Sequence, residues 1–213
     1  NGGLRWFDIK NNQTLELPWV QGFSLSGGGT WIGAITPKGN VRVLDPVSGK
    51  DAVPPPEPLA DVPLSLVSFV NRRPDMLVLD EEGVLGIYDL TDSVKENISA
   101  VGQDVLDLNV AVDRLWGITG GDHAAVRFQE SENETATVIF VDLNEGEVVS
   151  EVPDLLPYVW VDPETGSIIQ PARGNAIIEM DMYGREKRVL RCLPEGEWIT
   201  FDHEGILDAS NIS

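Results

Sequence analysis

The stretch "NVRVLDPVSGK", residues 40–50, decides the fold because its pattern returns along the chain. A short apolar run ends in an aspartate, and turn residues follow it. The same order occurs at five aspartates, which are Asp8, Asp45, Asp89, Asp142 and Asp181. Successive aspartates lie 37, 44, 53 and 39 residues apart. Intervals of about 40 to 50 residues are typical of a repeat built from one four-stranded sheet.

The repeated aspartate has a physical reason to stand at the end of a strand. Its carboxylate can accept hydrogen bonds from backbone amides a residue or two further on, which fixes a tight turn. Gly49, Gly146 and Gly184 follow three of these aspartates and can adopt the positive φ that such turns need. Each repeat is therefore predicted to contain a hairpin whose turn is specified locally.

The strands upstream of each aspartate divide the chain into units of similar length. The runs "VSFV", "MLVL" and "VIFV" are apolar throughout, as expected for strands that pack on both faces. The proline-rich segment "VPPPEPLADVP", residues 53–63, predicts an extended connector between two units. The predicted units, within a single domain of residues 1–213, are 20–58, 59–100, 101–154, 155–193, and a split unit of 1–19 plus 194–213.

The tails "NVRVLDPVSGK" and "VIFVDLNEGEV" resemble the ends of blades in the WD-repeat and quinoprotein-like β-propeller superfamily. The Gly-His dipeptide of the WD repeat is absent and no tryptophan directly precedes the five aspartates, so the quinoprotein-like group is the better comparison. The resemblance implies an all-β fold, a β-propeller of four-stranded antiparallel blades. About five blade units are visible, either as a complete ring or as a fragment of a larger propeller.

The two ends of the chain are predicted to be complementary halves of one blade. Residues up to about Trp19 supply its later two strands, and residues from Glu197 supply its first two. We expect these halves to pair, so that Phe7 lies near Ile206 and the ring has no open strand edge. In a larger ring of seven or eight blades the two ends would instead lie apart.

The charge and composition of the chain limit the classes of partner that it can bind. The chain has 35 acidic and 15 basic residues and a formal net charge of −20, a field that repels phosphate groups. We therefore expect no nucleic-acid partner, and no apolar run approaches the roughly 18 residues that membrane insertion requires.

Cys192 is the single cysteine, so neither an intrachain disulfide nor a cysteine zinc framework can form. We predict no cofactor and no metal.

The segment "TGGDHAAVRFQESENETAT", residues 119–137, departs from the repeat and is predicted to be an inserted loop. Insertions in repeat folds often lie on the binding face. Asp122, His123 and Arg127 are its candidate binding residues. The alternative is a surface insertion without a role.

Other motifs have plain structural explanations. "LSGGGTW", residues 25–31, predicts a turn, since no Lys-Ser or Lys-Thr follows as a phosphate-binding loop requires. "DLNEGE", which begins at Asp142, resembles the start of a calcium loop but lacks the full spacing. No catalytic residue is assigned from the sequence.

These observations favour a non-catalytic propeller that serves as a binding or scaffold module for a protein partner or a small ligand. It could act alone or as one part of a larger multidomain chain. The alternative is an enzymatic propeller, with a hydrolase, a lyase or a quinone-dependent dehydrogenase as the candidate chemistries.

Overall fold

The computed structural model describes residues 3–8, 12–59, 61–70, 73–97, 99–100, 102–120, 122–129, 135–202 and 204–209. Strands account for 55% of the structure and helices for 6%, which confirms the predicted all-β class. No helix in these ranges is long and apolar enough to span a membrane.

The strands of the described residues form five antiparallel sheets in chain order. The N-terminal hairpin comprises β1 (Leu4–Asp8) and β2 (Gln13–Leu17). The first blade comprises β3 (Gly22–Leu25), β4 (Ile32–Ile35) and β5 (Val41–Leu44). The second blade comprises β6 (Leu64–Phe69), β7 (Asp75–Asp80), β8 (Val84–Asp89) and, after the short helix α1 (Thr91–Glu96), β9 (Gly102–Asp107).

The third blade comprises β10 (Val112–Gly117), β11 (His123–Gln129), β12 (Ala136–Asp142) and β13 (Glu147–Leu155). The last sheet comprises β14 (Trp160–Val161), β15 (Ile168–Ala172), β16 (Ala176–Met180), β17 (Glu186–Cys192), β18 (Trp198–Asp202) and β19 (Gly205–Ala209). Within every sheet each strand pairs with the one before it, as in a propeller blade.

Neighbouring sheets pack face to face through alternate side chains. In β7, Met76 and Val78 lie in the apolar cluster shared with the first blade, whereas Leu77 and Leu79 lie in the cluster shared with the third. Successive side chains of a strand point to opposite faces, so one apolar run fills two interfaces. This explains why the strands are apolar throughout rather than alternating with polar residues.

The first strands of neighbouring blades lie side by side around an axis. The backbone of Val70, directly after β6, forms a parallel bridge with Gly117 of β10. The Gly117 amide donates a hydrogen bond to Ser68 Oγ at 3.2 Å, and the Phe69 amide donates one to Ser24 Oγ at 3.4 Å. Serines therefore link β3 to β6 and β6 to β10, which makes these the inner strands of the propeller.

The first blade has three strands because prolines follow its third. Leu44 forms a single bridge with Asp51, and the pairing goes no further into the proline-rich segment. Proline has no backbone amide hydrogen to donate to a neighbouring strand. The segment instead runs as an extended connector to the second blade, where the Tyr88 hydroxyl donates a hydrogen bond to the Glu57 carbonyl at 2.6 Å. The predicted connector is confirmed.

The aspartate turns are confirmed at the end of the third strand in each of four sheets. Asp45 accepts hydrogen bonds from the amides of Val47 and Ser48, and equivalent bonds reach Asp89, Asp142 and Asp181 from amides two to four residues on. Positive φ angles of 67°, 66° and 77° occur at the predicted Gly49, Gly146 and Gly184. The side chain of Asp8 lies outside the described residues.

We expect Asp45→Ala to lower the free energy of unfolding by about 1 kcal/mol, as the loss of a helix cap does. Urea unfolding measures this, and Asp61→Ala, which removes an exposed carboxylate at the connector, is the control with a smaller effect.

The stabilisation by Asp45 should depend on pH. The Ser48 amide, followed by the Ser48 hydroxyl, lowers the pKa of Asp45. Its stabilisation is therefore present above the unfolded pKa of about 3.9 and lost as the pH falls below it. The difference between wild type and variant should shrink from about pH 5 to pH 3; a difference that stays constant would contradict the turn's role.

Three predictions about the chain's organisation are wrong. Residues 123–129 of the predicted inserted loop form β11, the second strand of the third blade, with Ala124 and Val126 fully buried. The preceding segment Gly102–Asp107, assigned to the third unit from the sequence, pairs with β8 and completes the second blade. This outer strand is half exposed and contains charged residues, so a search for apolar runs does not recognise it as part of the second blade.

The third error concerns the ends of the chain. Among the described residues β1 pairs with β2 alone, and β18 and β19 extend the last sheet beyond β17, so the two ends do not form one blade. The local hairpin between β18 and β19 is present as predicted, but its partner is β17. Four residues of β17 pair with β18, from Val189 opposite Phe201 to Cys192 opposite Trp198.

Candidate functional site

A groove at the inner strands is the candidate functional site. Its first part is a cavity of about 600 Å3 lined by residues of β3, β6, β10 and β14, which surrounds the propeller axis. Phe23 and Leu25 alternate along β3 with Gly22 and Ser24, and both remain exposed to this cavity. Large apolar side chains thus line the axial channel instead of entering a sheet interface.

The groove continues into a second cavity of about 1010 Å3 between β10, β11 and the loop before β14. Arg114, Trp116 and Trp160 line both cavities, so the two are parts of one groove. The Trp160 ring meets the Trp116 ring edge to face, with centroids 5.7 Å apart. Tyr158 stands beside them and is 80% exposed, and Trp160 is 53% exposed.

The backbone pattern of "LPYVWVD", residues 156–162, explains this exposure. Val159 and Val161 are buried in the cluster between the third blade and the last sheet. Trp160 lies between them along the chain and therefore faces the other way. Tyr158 lies in the preceding turn, which a hydrogen bond from the Val159 amide to the Leu156 carbonyl closes at 3.0 Å. Two large aromatic rings are held in solvent by two valines that anchor the chain.

Arg127 holds the loop that carries Tyr158. Its guanidinium group donates hydrogen bonds to both carboxylate oxygens of Asp113 and, at 2.6 Å, to the carbonyl of Pro157. Arg127 is buried, and a buried guanidinium requires such compensation. Arg127 therefore holds the loop that lines the groove, and its own charge is paired with that of Asp113.

The three residues predicted from the sequence do not form one site. Arg127 lines the groove, whereas His123 lies four residues away on β11, about 13 Å along an extended strand, and lines a separate cavity of about 300 Å3. His123 Nε2 lies 3.9 Å from Asp142 Oδ2. Asp122 is in the turn before β11. Its carboxylate accepts a hydrogen bond from the side-chain amide of Asn144 at 3.4 Å and lies 4.0 Å from the guanidinium group of Arg73. A binding role for Asp122 and His123 stays a prediction.

Sequence reasoning missed Phe23, Arg114, Tyr158 and Trp160. The signal that could have found Trp160 is its strand parity, since it lies between the buried Val159 and Val161. Tyr158 lies in the turn before the strand, where parity gives no signal. Phe23 and Arg114 carry no comparable signal, because they belong to the groove only through the meeting of four sheets. Within the described ranges, no group of three or more histidine, cysteine, aspartate or glutamate residues is placed to hold a metal ion.

Comparisons with known proteins establish the fold. No protein-family profile and no curated protein sequence matches the chain. Among solved structures, it is similar to the β-propeller domain of Myceliophteria thermophila Cps50 (Swd1), with 11% identity and a TM-score of 0.57 over 98% of this chain and 80% of that one. It is also similar to the WD40 repeats of RRP9, with 12% identity and a TM-score of 0.57 over 92% of this chain and 62% of that one.

A third similar structure is Kuenenia stuttgartiensis hydrazine synthase, with 10% identity and a TM-score of 0.57 over 93% of this chain and 67% of that one. At these identities the likeness concerns the fold alone. The chain thus has a β-propeller fold, as its repeated aspartate tails indicated.

Proposed function

We propose that this propeller is a non-catalytic binding module that holds an extended segment of a partner protein in the groove at its axis. The observation that carries the proposal is the exposure of Phe23, Tyr158 and Trp160 along one continuous groove. Aromatic residues are enriched at protein interfaces, and contiguous exposed apolar surface on a soluble domain marks an interaction site.

The shape of the groove favours a polypeptide over a small molecule. A pocket for a small ligand buries most of its ligand's surface, usually within about 300 to 1,000 Å3. This groove has two joined cavities of about 600 and 1010 Å3, and Tyr158 stands in solvent along its length. A chain several residues long can follow both parts. WD40 propellers such as that of RRP9 are a kind of fold suited to protein-interaction scaffolds, which also supports the proposal.

Selection from a library of random peptides of about twelve residues, displayed on phage, tests the proposal. Selected peptides should bind the purified chain, and Tyr158→Ala with Trp160→Ala should weaken them at least about tenfold, because these two rings supply most of the apolar contact. Tyr183→Ala, at a tyrosine outside the groove that is also exposed (54%), is the control and should leave the affinity unchanged.

Two results would contradict this function. One is a library from which no peptide is enriched, and the other is a set of binders that the groove double variant binds as well as the wild type does. Duplex DNA of mixed sequence at about 50 mM salt serves as a further ligand. It should not bind, since the net charge of −20 repels phosphates.

A further inference from the structure

The described lining of the second cavity differs in charge from the chain as a whole. The chain carries a formal net charge of −20, yet two arginines and no acidic residue are among the described residues that line the second cavity. Arg127 is neutralised by Asp113. Arg114 is exposed, and within the described part of the chain the structure records no hydrogen bond or ion pair for it.

The first cavity adds one acidic residue, Glu164, to the described lining of the groove, and Glu164 does not line the second cavity. At physiological salt the Debye length is about 8 Å, so the many carboxylates on distant turns act weakly on the groove. In the second cavity, Arg114 and the aromatic rings therefore set the local environment of a ligand.

Arg114 determines the sign of the charged group that can bind beside the aromatic rings. Clustered tryptophan and tyrosine rings on their own would favour a cation. Arg114 lines the same two cavities as Trp116 and Trp160, and its positive charge opposes a second cation there. A free guanidinium group instead favours a carboxylate, which it can bind through two parallel hydrogen bonds.

We propose that the groove selects an acidic peptide segment, with an aspartate or glutamate carboxylate on Arg114 and an adjacent large apolar side chain against Trp160 and Tyr158. This inference rests on the proposed function and names the chemistry of its partner. A carboxylate is preferred to a phosphate because phosphate sites in peptide recognition use clusters of arginines, and here Arg127 is already paired.

Three labelled peptides of about ten residues test the inference by fluorescence polarisation. They share a central tryptophan and differ only at the two flanking positions, which are glutamate, glutamine or lysine. The glutamate peptide should bind at least about tenfold more tightly than the other two. Arg114→Gln should abolish this preference, and Arg114→Glu should reverse it in favour of the lysine peptide. Arg173→Gln is the matched control, since it removes the same charge from an exposed turn outside the groove.

The outcomes separate the inference from the function on which it rests. If the lysine or glutamine peptide binds as tightly as the glutamate peptide, or if Arg114→Gln keeps the preference, the acidic partner is wrong while peptide binding stands. A phosphoserine peptide that binds more tightly than the glutamate peptide would overturn the choice of a carboxylate. If none of the three peptides binds, the inference fails and the peptide selection above decides the function. If the glutamate peptide binds Trp160→Ala as tightly as the wild type, its site is not the groove, and both the function and the inference fail.

Discussion

Gly117→Ala is expected to lower the free energy of unfolding by about 3 kcal/mol, the upper end of the usual range for overpacking, because the contact is rigid. A Cβ atom at this position would lie 2.7 Å from the Phe69 carbonyl oxygen and 2.8 Å from Val70 Cα. Both are backbone atoms, so no side-chain rotation can make room. The inner strands β6 and β10 would have to separate, and the hydrogen bond from the Gly117 amide to Ser68 would lengthen with them.

Gly22→Ala is the matched control for this change. Gly22 also lies on an inner strand, but its nearest neighbour would be the end of the Ile35 side chain at 3.3 Å, which can move. We expect its effect to stay within about 1 kcal/mol, since alanine also reduces the entropy of the unfolded chain. Urea unfolding of both variants measures the difference. Equal effects would show that the close approach of β6 and β10 does not hold the blades together.

Phe140→Ala is expected to cost about 3–5 kcal/mol of unfolding free energy, the range for removing a buried aromatic ring. Phe140 is 1% exposed and lies in the apolar cluster that joins the third blade to the last sheet. Sheets in a repeat fold contact mainly their neighbours, so this cavity weakens one interface and leaves the others intact. The last sheet should therefore loosen before the rest of the molecule unfolds.

Urea unfolding combined with amide hydrogen exchange checks this order. Amides of β15 and β16 should lose protection in Phe140→Ala at denaturant concentrations where those of β7 keep it. Phe7→Ala, at a phenylalanine that is 52% exposed, is the control and should cost less than about 1 kcal/mol. Uniform loss of protection in all sheets would mean that the propeller unfolds as a single unit.

The elements that were predicted correctly are those whose cause is local. Asp45 accepts hydrogen bonds from the amides of Val47 and Ser48, two and three residues away, so its turn is encoded within one short segment. Strands such as β7 and β12 could be recognised because burial on both faces makes every residue apolar or nearly so. Prolines 54 to 56 likewise exclude strand pairing by their own covalent structure.

The prediction for the third blade was wrong where the local sequence pattern of a strand does not indicate the strand with which it pairs. The outer strand β9 is half exposed and carries charged residues, and in β10 the exposed Asp113 and Arg114 interrupt the apolar run. β11 was read as loop because His123 and Arg127 flank its two alanines and a valine. Alanine and arginine are poor signals of a strand, and only the packing of neighbouring sheets on both faces places them in one.

The sequence by itself determined the repeat, the turns and the all-β class, since hydrogen bonds and strand alternation act between residues close along the chain. The tertiary structure decided which strand closes each sheet, where the last hairpin pairs, and that Phe23, Arg114 and Trp160 meet at one groove. These three residues come from different sheets and lie 46 to 137 positions apart. Their meeting depends on how the sheets pack about the axis, and no short-range pattern records that geometry.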